Sequence, residues 1–328
     1  MIASHHSISE RVTAVARRIA ALSGDTSGAM RTFRTCLGAI ERSAWPDVAW
    51  RFSGLMGDGS PLEFVFSSKD SALRYTIEVG GPEFAEHSRL DAACALVAEL
   101  GHAPPSPELV DAWRSLQAGF RLSWGAWLGV RYDSEGEKIK VYIEIPREAP
   151  PIAPFMACSP RKSRLVMIGY EPDRGRFEHY FRNKAMVRWE FEALVRLFEP
   201  PDRQEAALAN FAELCGMPIE AALRWFTPGY SLAYRSNVER PNLALFVNAA
   251  SVGGASVVRR QLLTREFRSA RGISAYRQLV EPFEDRDLPY HGIVSLGLGP
   301  GCEFDVRVGI SGVALADPFH FTERRSRV

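Results

Sequence analysis

The feature that most constrains this chain is a strict two-residue alternation that recurs along it. It is clearest at Gly136-Glu-Lys-Ile-Lys-Val-Tyr-Ile-Glu-Ile145. Lys138, Lys140, Tyr142 and Glu144 share one parity; Ile139, Val141, Ile143 and Ile145 share the other. Period two, with β-branched residues on one side, predicts a strand. A Gly-containing turn at 133–136 joins it to an apolar run at 124–132, so the unit reads as a β-hairpin. The apolar face packs on a core. The polar face either meets water, as in a half-exposed antiparallel sheet, or lines a cavity.

Repetition favours the cavity. Further hairpins are predicted at 62–68 with 73–78, 164–170 with 176–182, 230–236 with 242–248, and 290–298 with 303–310. Arg176, Glu178, Tyr180 and Arg182 share one face of their strand. Glu303, Asp305 and Arg307 oppose Phe304, Val306, Val308 and Ile310. Helical periodicity fills the intervals, at 7–23, 30–42, 88–100, 184–198, 203–215, 218–226 and 255–281. Ser106-Pro107 opens another helix, and Asp202 with Glu205 has capping-box spacing. The Pro-rich stretch 146–160 reads as a surface loop. Ten antiparallel strands closed on themselves leave no edge to protect. The expected fold is therefore α/β. A ten-stranded antiparallel barrel sits within a ring of helices, one domain over 1–328, aliphatics outward and polar side chains in the lumen.

Bulk properties exclude several functions. The chain has 328 residues, 46% hydrophobic and 24% charged, with a net charge of +1. No global field draws it to nucleic acid or a membrane surface. Cys36, Cys94, Cys158, Cys215 and Cys302 are isolated, with no zinc-site spacing. No run reaches the length of a membrane span, and the N-terminus lacks a signal-peptide core, so a cytoplasmic protein is expected.

Three short motifs fall in order on the predicted strands: Ser60-Pro-Leu-Glu63, Leu73-Arg-Tyr75 and Lys140-Val-Tyr142. They resemble those of the aromatic prenyltransferases with the αββα (PT) barrel, indole-specific enzymes of the dimethylallyltryptophan-synthase type. The length is similar to the short bacterial members. The resemblance implies five αββα units and a Glu63 carboxylate that binds an indole N–H and serves catalysis. It implies a prenyl diphosphate held by Arg74, Lys140 and Arg176, and Arg307 lies on the charged face of the last strand. The third hairpin departs from the family's Arg-x-Lys-x-Tyr: here it reads Arg176-Phe-Glu178-His-Tyr180.

The chemistry suits these residue types. Lys and Arg can stabilise departing diphosphate without a metal. Tyrosine rings shield the allylic cation, and Tyr142, Tyr180 and Tyr234 are the candidates. The expected activity is transfer of a dimethylallyl or geranyl group from its diphosphate to an electron-rich ring, with indole favoured. No cofactor is required; Mg2+ could at most stimulate. Two alternatives stay open: a peptide side-chain prenyltransferase, and a non-catalytic barrel that binds a ligand. Some residues have plainer readings. Arg74 could pair with Glu78 on its own strand, and His179 and His291 could be packed histidines.

Overall fold

The computed structural model describes residues 5–23, 25–149, 160, 163–184, 186–235, 242–263, 271–284, 288–298 and 304–316. Ten strands run β1 (Leu62–Ser67), β2 (Leu73–Glu78), β3 (Ala126–Asp133), β4 (Gly136–Glu144) and β5 (Ser163–Glu171), then β6 (Arg176–Asn183), β7 (Gly229–Arg235), β8 (Asn242–Asn248), β9 (His291–Leu298) and β10 (Asp305–Ser311). Each pairs antiparallel with its neighbour in sequence, and β1 pairs with β10 from Glu63↔Ser311 to Ser67↔Arg307. The sheet is a closed barrel, as the five hairpins predict.

Register carries the alternation around the circle. Phe64 faces Tyr75 across one ladder and Ile310 across the other, and Leu128 faces Val141. These outward aliphatic and aromatic side chains are essentially inaccessible. Helices cover them. Phe33 of α2 (Thr26–Glu41) packs edge-on against Tyr75 at 5.1 Å and stacks with Phe64 at 6.0 Å. Trp113 of the helix Pro107–Gln117 meets Tyr170 at 5.6 Å, and Tyr276 of the helix Arg271–Val280 meets Phe66 at 5.9 Å. Each such side chain contributes roughly 1.5–3 kcal/mol by burial. The hydrophobic core therefore lies outside the barrel, which leaves the interior to polar groups.

Helix boundaries differ from the spacing in four places; the helix expected from 184 starts at Arg188. α2 starts at Thr26, not near 30, because Asp25 caps it by accepting the Gly28 N–H. The helix expected at 203 begins at Pro201, with proline in its first turn in place of an Asp202 cap. The stretch 255–281, expected to be interrupted near Gly272, holds two helices, Ala255–Leu262 and Arg271–Val280, with Gly272 in the first turn of the second. Ser106 caps as predicted, accepting from the Leu109 N–H. Among the described residues no helix separates β4 from β5. The Gly299-Pro-Gly301 turn, Glu303, Cys158, Cys302 and most of the Pro-rich loop lie outside the described residues.

One ionic clamp ties the helical layer to the hairpin turns. His102 Nδ1 lies 2.7 Å from Asp173 in the β5–β6 turn, and Nε2 lies 3.0 Å from Glu137 on β4. Burial alone would lower the imidazole pKa; hydrogen bonds to Glu137 and Asp173 outweigh it and raise the pKa above the ordinary 6.5. The stabilisation is thus complete below that value and is lost as pH rises through the folded pKa. His102→Gln should lower the melting temperature at about pH 6 and leave little difference from wild type at about pH 9. Thermal melts of both proteins at the two pH values check this; a gap independent of pH would contradict it.

Candidate active site

The inward side chains divide the lumen into two zones. Toward the hairpin turns lies a cavity of about 260 Å³. Eight of its described lining residues are Lys or Arg and three are acidic. Arg74, Lys140, Arg176 and Arg307 all line it, as does Tyr142. The structure thus brings together the four cations expected for a diphosphate site, drawn from β2, β4, β6 and β10.

None of these cations stands alone. Lys140 Nζ is 2.7 Å from Glu178 and 3.1 Å from Glu171. Arg74 pairs with Asp70 at 2.6 Å, not with Glu78. Glu78 instead holds Arg89 and Ser53. Arg307 pairs with Asp305 at 2.7 Å, and Arg176 lies 3.7 Å from Glu171. For Lys140 and Glu178 burial opposes the charge, and the partners outweigh it. For Lys140, burial lowers the pKa, but Glu178, then Tyr142 and Glu171, more than offset this and hold it above the usual lysine value. For Glu178, burial raises the pKa, and the nearby Lys140 ammonium outweighs it, pulling it down to about 2. Both groups are ionised at neutral pH.

Beside the cations stands a tyrosine pair. The Tyr142 and Tyr180 rings are 6.0 Å apart at 64°, and Lys140 Nζ lies 5.8 Å from the Tyr142 centroid. Tyr142 can lie against the wall because Gly169 and Gly129 flank it: a Cβ at Gly129 would come within 2.7 Å of its ring. Tyr234 does not join them. It shares the outer parity with Phe177 and Leu232, stacks on His179 at 5.2 Å and bonds the imidazole at 2.7 Å. This corrects the expectation that Tyr234 shields a cation in the lumen. His179 and His291 are packed histidines, both buried; His291 bonds Tyr276 and the Pro289 carbonyl.

Glu63 projects from β1 toward the other zone. A Cβ at Gly309 would overlap its carboxyl, so only glycine leaves room there. Burial raises its pKa to about 7, partly offset by the Ile293 N–H, with Asp58 adding repulsion. At this end, Glu144 accepts the N–H groups of Ser123, Trp124 and Gly125 at 2.7–3.0 Å. It fixes a loop and is not available to a ligand. That loop stacks Trp124 on Trp127 at 3.8 Å.

Sequence spacing missed the counter-ions Asp70 and Glu171, and the lining cations Lys69, Arg131 and Arg174. Parity could have found Arg131, which shares the inner face with Gly129. Among the described residues no group of three or more His, Cys, Asp or Glu could hold a metal ion. The Glu178 oxygens are engaged by Lys140 and Ser231.

No protein-family model and no curated protein sequence matches the chain. Solved structures do. The backbone has the fold of the prenyltransferase barrels. It is similar to 6-dimethylallyltryptophan synthase from Micromonospora olivasterospora, in complex with DMASPP and Trp: TM-score 0.71, 18% identity, covering 94% of this chain and 98% of that one. It is similar also to 5-dimethylallyl tryptophan synthase from Streptomyces coelicolor, in complex with DMASPP and Trp: TM-score 0.72, 14% identity, 94% and 96% covered. A third likeness is to PriB in binary complex with product diphosphate: TM-score 0.73, 17% identity, 94% and 97% covered.

The raised Glu63 pKa has a measurable consequence. A carboxyl that ionises near 7 folded and 4.5 unfolded lowers stability as pH rises between those values. At 1.36 kcal/mol per unit the loss reaches at most about 3 kcal/mol. Urea unfolding at about pH 4.5 and about pH 8 should show this loss in wild type and a smaller one in Glu63→Gln. Equal pH dependence in both would contradict the buried placement.

Proposed function

We propose that this chain is an aromatic prenyltransferase. It moves a dimethylallyl or geranyl group from its diphosphate to an electron-rich acceptor, an indole or tryptophan derivative being favoured. One observation carries the reading: a cation-lined cavity opens beside a partly buried tyrosine pair, with a carboxyl of raised pKa toward the other end of the same lumen. The neighbouring folds solved with DMASPP and Trp, and with product diphosphate, support it.

On this reading Arg74, Lys140, Arg176 and Arg307 hold the diphosphate. Their charges are in place before ionisation, so little reorganisation accompanies the loss of the leaving group. Their own counter-ions yield to it, carboxylate being exchanged for phosphate oxygen. Tyr142 and Tyr180 exclude water from the allylic cation and attract it through their faces, about 0.5–2 kcal/mol each. The acceptor ring attacks as a carbon nucleophile. Glu63 accepts the acceptor N–H and then takes the proton lost from the ring. A pKa of about 7 suits a base at neutral pH. The reaction as drawn requires no metal. Among the described residues no helix is long and apolar enough to cross a membrane, and we place the single domain, 1–328, in the cytoplasm.

The test is incubation with dimethylallyl diphosphate and L-tryptophan, then other indoles. Prenylated product and released diphosphate should appear together, and activity should survive EDTA. Glu63→Gln should keep donor binding and cut turnover about 10²–10⁴-fold. Donor binding without transfer to any acceptor would support a non-catalytic barrel. Complete loss with EDTA, restored only by magnesium, would replace the cationic clamp with a metal-assisted route.

A further inference from the structure

Position 178 sits on the inner face of β6, directly opposite Gly169 on one side and Ala233 on the other. The residue is buried, at 8% exposed, and it is among those lining the cavity. Oε2 accepts from Lys140 Nζ at 2.7 Å and Oε1 accepts from Ser231 Oγ at 2.6 Å. The Tyr180 hydroxyl also hydrogen-bonds it, and Tyr180 in turn bonds Tyr142. One anion therefore stands at the seam between the cations and the tyrosine pair.

It is the nearer of the two carboxylates that neutralise Lys140, at 2.7 Å. Glu171 lies 3.1 Å from that ammonium. A second buried carboxylate costs several kcal/mol of desolvation and repels any diphosphate bound nearby. It favours only a positive charge, and an allylic cation is the positive charge that the proposed reaction creates at this seam. An interaction stronger in the transition state than in the bound donor raises kcat.

Resting on the prenyltransferase reading above, we propose that Glu178 is a catalytic residue, a fixed anion that stabilises the allylic cation as it separates from diphosphate. The C1–O bond breaks and its electron pair leaves with the diphosphate. Glu178 stays ionised, forms no bond and takes no proton. The acceptor ring supplies the pair for the new carbon–carbon bond, and the proton passes to Glu63.

The experiment compares wild type with Glu178→Gln and Glu178→Asp. Calorimetry measures inorganic pyrophosphate binding without turnover, and steady-state kinetics give kcat and donor KM. Glutamine keeps the size and the Ser231 contact but not the charge. It should tighten pyrophosphate binding several-fold and lower donor KM, while kcat falls roughly 10- to 100-fold. Aspartate keeps the charge and should retain more of kcat than glutamine, which a role in folding alone would not produce. An unchanged kcat in Glu178→Gln overturns the proposal. So does weaker pyrophosphate binding, which would make Glu178 a support for Lys140. A wild type that transfers no prenyl group overturns the underlying reading and this inference with it.

Discussion

Lys140 is held between Glu178 at 2.7 Å and Glu171 at 3.1 Å inside a barrel whose outer wall is sealed by helices. A lysine cannot keep its charge there without partners, because removal from water costs several kcal/mol. Arg74 and Arg307 keep their charge regardless, and Asp70 and Asp305 offset the cost of removing them from water. Compensation lets a closed barrel carry a polar interior, and it places the compensating groups on neighbouring strands or turns. The apolar work of folding is displaced to the outer face, where Phe33, Phe64 and Tyr75 join helix to sheet. Stability and chemistry thus occupy opposite faces of the same ten strands.

This division also separates the two ionisable carboxylates that matter. Glu178 lies among cations and is held ionised, with a pKa near 2. Glu63 lies where burial dominates and titrates near 7. One lumen therefore holds a permanent anion and a carboxyl poised to exchange a proton. Their environments, not their chemical type, set the difference. Glycines tune both zones: Gly309 makes room for the Glu63 carboxyl, and Gly129 and Gly169 let Tyr142 lie against the wall.

The strands and their closure were legible because half-buried strands write their two faces into alternate residues. Ile139, Val141 and Ile143 against Lys138, Lys140 and Tyr142 state the barrel's inside and outside directly. Tyr234 was misassigned although parity could have placed it, since Leu232 shares its face. A tyrosine fits either face, so residue type alone was a poor guide. The counter-ions were illegible for a different reason. Asp70 reaches Arg74 from a turn, and Ser231 reaches Glu178 from the next hairpin. Such pairs depend on turn geometry or cross-strand register, which spacing within a strand does not encode; Asp305, two residues before Arg307 on the same face, is the counter-ion that spacing does show. The start of α2 was hidden by Gly28 in its first turn, a residue that weakens helical periodicity.

The central claim is that the inner cations form one anion site that exchanges its own carboxylates for diphosphate. Lys138 and Lys140 are equally buried, at 17% and 18% exposed. Lys138, however, is tied to the turn carboxylates Asp133 and Glu135, whereas Lys140 faces Glu178 and the tyrosine pair. Calorimetric titration of inorganic pyrophosphate into Lys140→Ala and Lys138→Ala discriminates between a place in the cation cluster and mere charge. The account predicts a loss of about 30-fold or more for Lys140→Ala, corresponding to about 2 kcal/mol or more, and little change for Lys138→Ala. Equal, small losses at both lysines would contradict it.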